Sequence, residues 1–260
     1  MTTTGLLTRK CYAAAYGDCD GGAATREHWI SRALLERVQY DGVGLRVAGL
    51  SWFEGERECS DAELVTKILC ARHNRMLSEL DHSIVTLHDA WLAAGEGRET
   101  RLTISGDMLE RWALKVLVGM IVSGTARVDG VPVRVPPPLA VVDVVFGARD
   151  LPSPRGFYFV VHTEFDSSLK IKVNTGPSGT ELEGVVLGIT VQFLAFRYVT
   201  WLGSMTPVAS TQLLYRPAAL DFGPFGRIDF QWKDDPGSGD IPLDLRINSR
   251  VNETLSLAPR

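Results

Sequence analysis

The chain has few of the features that mark unusual classes of protein. Its 260 residues include four cysteines and five histidines, with 22% charged and 45% hydrophobic residues. This composition excludes a collagen-like repeat and an intrinsically disordered chain. A chain of this length can bury an apolar core without cross-links, so we expect one large or two modest folded domains.

A strongly basic segment is also absent. The chain has 27 Lys+Arg against 31 Asp+Glu, a formal net charge of −4. Proteins that hold long stretches of nucleic acid mainly through phosphate contacts usually show a basic face. The composition lacks that face, although folding can still assemble a local basic patch.

No apolar run is long enough to cross a bilayer. One of the longest runs, Trp112 to Val122, is interrupted by Lys115 and falls short of the roughly 18 residues that a spanning helix needs. The first residues, Met1 to Gly5, lack the charged-then-apolar pattern of a secretory signal. These absences predict a cytoplasmic protein with no membrane partner, in which the cysteines are reduced, metal-bound or buried rather than paired.

Helical periodicity dominates the first half of the chain. We predict a helix over 25–38 with Thr25 as its N-cap, and one bent helix or two helices over 62–94. The glycine-punctuated residues 38–58 are predicted to form one or two short strands or a loose excursion of the chain. A third helical segment, over 109–122, is hydrophobic on nearly all sides and is predicted to be buried between two layers.

The second half has the alternating, turn-punctuated pattern of an antiparallel sheet or sandwich. Strands are predicted over 139–146, 156–162, 169–173, 182–200, 212–215 and 227–232. The fold class predicted for the whole chain is therefore α+β.

Two pairs of metal-binding residue types lie in the first third of the chain. Cys11 and Cys19 flank a loop, and Cys70 and His73 are two residues apart on a predicted helix, so that one ion can contact both. Three thiolates and an imidazole form an ordinary tetrahedral zinc set with no open position. The alternative is that the cysteines are small buried hydrophobes and His73 is solvated or hydrogen-bonded. Cys59 has no partner in either scheme.

A second group of polar residues lies between and beside these pairs. Glu27 and His28 adjoin at a predicted turn, and Asn74 directly follows His73. With Cys11, Cys19 and the Cys70 to Asn74 run, this order resembles the zinc-stapled bacterial branch of the HNH endonuclease superfamily over about residues 8–82.

The resemblance implies specific roles. His28 looks like the general base, Glu27 like the adjacent ligand of a catalytic Mg²⁺ or Mn²⁺, and Asn74 like the ligand supplied by the helix. Cys11, Cys19, Cys70 and His73 look like the structural zinc set. The substrate would be nucleic acid, DNA rather than RNA. Ser78 and Asp81 are expected to cap or terminate the local helix.

The resemblance over 8–82 and the change to a strand pattern after prolines 136–138 together set the predicted domain organisation. Residues 1–94 would form an HNH-like ββα-metal module with a zinc knuckle, and 95–135 a helical connector. Residues 136–260 would form an antiparallel β domain that selects a substrate or binds a protein partner.

Two further interpretations stay open. The family's middle asparagine has no counterpart, since residues 29–69 contain no asparagine. This favours a zinc module that has lost catalysis and binds nucleic acid or protein. The third interpretation is an α+β protein that binds a small molecule.

Overall fold

The computed structural model describes eleven stretches of the chain. They are residues 11–38, 45–48, 56–59, 64–128, 131–132, 137–160, 169–175, 186–193, 196–203, 213–233 and 240–242. Helices and strands are both well represented in them, which confirms the predicted α+β class at that level.

Five α-helices occur in the described residues. They are α1 (Arg32–Val38), α2 (Ala71–Met76), α3 (Ser78–Gly95), α4 (Gly106–Val122) and α5 (Leu139–Val145). Short 3-10 helices cover Tyr12–Tyr16 and Gly223–Phe225.

The strands form two larger sheets and two strand pairs. In chain order they are β1 (Thr25–His28), β2 (Leu45–Ala48), β3 (Glu56–Cys59), β4 (Val65–Leu69), β5 (Thr100–Ser105), β6 (Arg127–Val128), β7 (Val131–Pro132), β8 (Gly156–Val160), β9 (Leu169–Thr175), β10 (Val186–Phe193), β11 (Phe196–Trp201), β12 (Leu213–Tyr215), β13 (Ala219–Asp221), β14 (Gly226–Gln231) and β15 (Asp240–Pro242). The seven-stranded sheet has the order β12-β8-β11-β10-β9-β2-β3, and the four-stranded sheet has the order β15-β13-β14-β5. The pairs are β1 with β4 and β6 with β7, both antiparallel.

Strand pairing joins distant parts of the chain. The links among β8 to β12 are antiparallel, as the alternating pattern predicts. By contrast, β2 pairs with β9, β5 with β14 and β13 with β15 in parallel. The three predicted segments of the chain therefore share sheets, and their buried apolar residues form one cluster.

The helix α4 lies at the centre of this cluster. It is buried on nearly every side, as its apolar sequence predicts, and it packs against α3, α5 and strands of both larger sheets. Ser105 caps it by accepting a hydrogen bond from the Met108 amide. At Gly119 a Cβ atom would lie 2.5 Å from the Trp29 Cβ, so only glycine lets α4 approach the residue that follows β1 so closely.

Three sequence predictions are wrong in this structure. Thr25 does not cap a helix but begins strand β1, and the helix starts at Arg32. The start of the predicted 62–94 helix is strand β4, which pairs with β1. The predicted strand over 139–146 is helix α5, in which the Val141 and Val142 amides bond to the Pro138 carbonyl.

Other predictions are confirmed. The two-helix alternative for 62–94 holds, with α2 and α3 meeting at Leu77. Short strands occur within 38–58, namely β2 and part of β3. No helix in the described stretches is both long and apolar enough to span a bilayer.

Candidate metal centre and buried charged network

Four candidate metal ligands converge where the chain enters and leaves the β1–β4 pair. Cys11 precedes the 3-10 helix Tyr12–Tyr16, Cys19 lies in the loop that follows it, and Cys70 and His73 lie at the start of α2. Their ligand atoms all lie within 4.8 Å of one another. The structure thus brings together the two pairs that the sequence leaves far apart.

The His73 ring is oriented for a role as a ligand. Its Nδ1 atom lies 3.2 Å from the Cys11 Sγ and 3.4 Å from the Cys70 Sγ. Its Nε2 atom is buried, with no hydrogen-bond partner in the described part of the chain. The ring packs edge-to-face against Tyr16 and Phe146, which shield it from solvent. Nδ1 is therefore the nitrogen available to an ion between the thiols.

Burial and hydrogen bonding make the thiols unequal. Burial raises the pKa of Cys11 to about 12. Burial also acts to raise the pKa of Cys70, but hydrogen bonds from the backbone of His73 and Asp20 and from the thiols of Cys19 and Cys11 together lower that pKa. Cys19 is exposed. Since thiolates are the metal ligands, ion binding at this group must release the proton of Cys11.

The loop that carries Cys19 is fastened to α2. The Asp20 carboxylate accepts hydrogen bonds from the Gly22 amide at 2.9 Å and the Arg72 amide at 3.2 Å. Asp18 pairs with the Arg72 guanidinium at 2.9 Å. These contacts hold Cys19 against the helix that bears His73.

The donor chemistry of the group fits zinc. Three sulfurs and one imidazole nitrogen are the soft and borderline ligands that zinc prefers, and four of them complete a tetrahedron. Within the described residues, no other group of three or more histidine, cysteine or acidic side chains converges in this way. The group could hold a metal ion, and its composition is compatible with structural zinc.

The second predicted group is brought together in part. Glu27 is buried on β1, and the Asn74 side chain on α2 lies near enough to help lower its pKa. The Asn74 amide also donates to the Thr25 hydroxyl at 3.1 Å and to the Arg26 carbonyl at 3.4 Å. Asn74 therefore ties α2 to β1 next to the candidate zinc ligands.

His28 lies beside Glu27 but on the other side of the strand. Successive residues of a strand point to opposite faces, and the burial pattern of β1 follows this rule, with Glu27 buried and His28 half-buried. Across the ladder His28 pairs with Val65. The side chains of Glu27 and His28, both predicted to be catalytic, therefore point to opposite faces of one short strand.

Lys115 of α4 is the unexpected member of this region. Its ammonium lies 2.8 Å from the Glu27 carboxylate, and both residues are almost fully buried. The same ammonium donates to both carboxylate oxygens of Asp81 on α3, at 2.7 and 2.8 Å. One cation therefore joins two carboxylates from different elements.

Neutral donors extend this network toward the core. The Ser31 hydroxyl donates a short hydrogen bond to Asp81. The Trp112 indole N–H in turn donates to the Ser31 oxygen at 2.8 Å. We call Glu27, Asp81, Lys115, Ser31 and Trp112 the buried charged network.

The charges of this network do not balance. Two carboxylates face one ammonium, which leaves one excess negative charge when both carboxyls are ionised. Burial raises the pKa of Glu27, while Lys115 and Asn74 act to lower it and the nearby Asp81 acts to raise it further. The network is therefore a place where a proton or an added cation would be stabilised.

Sequence reasoning missed the members beyond Glu27. Asp81 lies inside the first turn of α3, where a capping role was expected, but its carboxylate binds Lys115. The available signal was Lys115 itself, since a charge within the apolar stretch 112–122 needs a buried partner.

Comparisons of the chain with protein-family models, with curated proteins and with solved structures find no match. The geometry of the two groups is therefore the main basis for a functional assignment.

Proposed function

We propose that the protein is a metal-dependent nuclease that hydrolyses phosphodiester bonds, with an HNH-like module stapled by zinc. The observation that carries the proposal is that Asn74 of α2 hydrogen-bonds to Thr25 and Arg26 of β1, next to Glu27 and beside the four converging zinc-type ligands. The resemblance assigns Glu27 and Asn74 to one divalent ion, and these hydrogen bonds hold their two elements together.

In this proposal His28 accepts a proton from the attacking water, because a neutral imidazole titrates near neutral pH. A bound Mg²⁺ or Mn²⁺ would stabilise negative charge on the phosphate and on the leaving oxygen. Glu27 and Asn74 offer the oxygen ligands that such hard ions prefer. The excess negative charge of the buried charged network would stabilise a divalent ion at Glu27. The Lys115 ammonium already forms an ion pair with the same carboxylate.

The proposed substrate is DNA rather than RNA, and the sheets of the C-terminal half are proposed to bind a protein partner. Zinc held by thiolates suits a reducing compartment, so we propose that the protein acts in the cytoplasm.

A nicking assay combined with metal analysis tests the proposal. Protein purified without added metal should contain one zinc per chain, and it should nick plasmid DNA in Mg²⁺ or Mn²⁺. His28→Ala should abolish nicking while zinc content and thermal stability stay at the parent values. His82→Ala, which removes a histidine from α3 instead, is the matched control and should nick normally. A His28→Ala variant that nicks like the parent would contradict the proposed mechanism.

A second candidate function is a zinc module without catalysis that binds nucleic acid or protein. The ion pair between Lys115 and Glu27 favours it, because the carboxylate already has a cation. One zinc per chain, no nicking by parent or variant, and no Mn²⁺ bound near Glu27 would support this candidate over the nuclease.

A further inference from the structure

The position of Lys115 bears directly on how a divalent ion reaches Glu27. The lysine is 2% exposed, and its ammonium lies at hydrogen-bond distance from the carboxylate to which the resemblance assigns the ion. An ammonium and a divalent ion that share one buried carboxylate repel each other strongly, because little solvent screens them. Glu27 is therefore available to a metal only when the ammonium moves away.

Asp81 provides the place to which the ammonium can move. It already receives the Lys115 ammonium through both oxygens, while Glu27 lies 2.8 Å from the same ammonium. Asp81 is about a third exposed and its charge is further stabilised by the Ser31 hydroxyl. A small displacement of the lysine head would break one ion pair and keep the other.

We propose that Lys115 gates the divalent-metal site: its ammonium occupies Glu27 until a divalent ion takes that carboxylate, and Asp81 alone then holds the lysine. This inference rests on the proposed function and adds a regulating residue to its site. It makes metal binding a replacement of one cation by another, with Asp81 as the residue that permits the exchange.

Mn²⁺ binding to the zinc-loaded full chain tests the gate, with free Mn²⁺ followed by electron paramagnetic resonance. The informative variant is the double substitution Lys115→Met with Asp81→Asn. It removes the ammonium but keeps the network charge at −1, the same as in the parent, so the effect of the gate is separated from that of net charge. The double variant should bind Mn²⁺ at least about tenfold more tightly than the parent.

The single substitution Asp81→Asn is the matched comparison. It keeps the ammonium but leaves Glu27 as its remaining carboxylate in the network, so Mn²⁺ binding should become weaker than in the parent. Adding Glu27→Gln to the double variant should remove the tight binding. Zinc content and near-ultraviolet circular dichroism establish that each variant is folded.

Two results would overturn the gate. One is a folded double variant that binds Mn²⁺ no more tightly than the parent. The other comes from parent crystals soaked in Mn²⁺, which also decide the matter if the double variant does not fold. Anomalous density at Glu27 with the Lys115 ammonium bound only to Asp81 supports the gate. Density there with the ammonium still on Glu27, or no density at Glu27, contradicts it.

Failure of the gate and failure of the nuclease proposal are distinguishable. Nicking that depends on His28, together with unchanged Mn²⁺ affinity in the double variant, overturns only the gate. Tight Mn²⁺ binding by the double variant without nicking by any form of the protein overturns only the nuclease.

Discussion

Helix α4 carries two buried charged residues whose surroundings differ. Glu110 faces Arg216 in a one-to-one pair, with two hydrogen bonds at 2.8 and 3.0 Å. Lys115, little more than one turn later, faces two carboxylates and leaves a negative charge in excess.

The partners of these residues also differ in kind. Glu110 accepts from the Phe157 amide at 2.7 Å, and Arg216 donates to the Leu151 carbonyl, so this pair fastens α4 to β8 and its flanking segments. Lys115 instead lies between Asp81 and Glu27, the residue that the resemblance assigns to a divalent ion. A buried pair with balanced charges fastens two elements together. A buried group with an excess negative charge can instead take up another cation.

Zinc removal should have the largest effect on stability. It should loosen the segments around the candidate zinc ligands and leave those around the Glu110–Arg216 pair unchanged. Structural zinc contributes about 10–16 kcal/mol of apparent binding free energy in small zinc domains, and here it would hold α2 against the Cys11 loop. A strong chelator should therefore accelerate amide hydrogen exchange in β4 and α2 and leave β8 protected. Mass spectrometry of the exchanged peptides measures this difference.

Cys70→Ser should reproduce the effect of the chelator and reduce zinc below one per chain. Cys59→Ser, which changes the cysteine without an assigned metal role, should keep both zinc and protection. An equal loss of protection from hydrogen exchange in β8 would mean that the surroundings of Glu110 and of Lys115 on α4 are not independent of each other.

Glu110→Gln should have the next largest effect. It leaves the buried Arg216 guanidinium without its counter-charge, so we expect a loss of about 3–5 kcal/mol in the free energy of unfolding. Urea denaturation measures it. Glu36→Gln, which breaks an exposed pair with Arg32, should cost less than about 1 kcal/mol. A similarly small cost for Glu110→Gln would show that the Glu110–Arg216 pair does not fasten α4 in the way described above.

Asp81→Asn should change stability much less than Glu110→Gln, by less than about 1 kcal/mol in either direction. The reason is that it removes the excess charge, and the new amide oxygen can still accept from Ser31. The same urea experiment measures it. A loss as large as that of Glu110→Gln would show that Asp81 stabilises the fold as Glu110 does, rather than supplying a carboxylate in excess of the buried cations.

The smallest expected effect is one of pH. Because burial raises the pKa of Glu27 in the folded protein, the folded state holds this proton more tightly than the unfolded chain does. The corresponding stability is fully present below the ordinary carboxyl pKa and is lost as pH rises through the raised value. Between pH 5 and pH 7 the free energy of unfolding should fall further in the parent than in Glu27→Gln, which keeps Glu110, another buried carboxyl with a raised pKa. An identical pH dependence in both would exclude Glu27 as its source.

The sequence predicted those features that depend on local pattern. Helix α4 was predictable because its apolar residues cover nearly every side, and the Cys70 to His73 spacing marks two ligands on one helical turn. Strand β4 was mistaken for a helix since Leu64, Ile68 and Leu69 also fit a three- and four-residue spacing, and periodicity does not decide so short a segment.

Contacts between distant residues account for most of what was missed. The valine-rich α5 has strand propensity, but its packing on α4 favours a helix, and tertiary contacts outweigh propensity. Strand β5 was not predicted because its partner β14 lies far along the chain. Likewise, Lys115 signalled a buried partner, but nothing local showed that the partners are Glu27 and Asp81.

The contact between Gly119 and Trp29 determines whether the segment over residues 8–82 can be transferred to another protein. Residues 8–82 carry the resemblance, yet Trp29 packs on Gly119 of α4, and Lys115 also lies beyond the segment. An excised or grafted segment would expose Trp29 and lose the cation beside Glu27. The smallest transferable unit therefore includes α4, and any redesigned helix in its place must keep a glycine opposite Trp29.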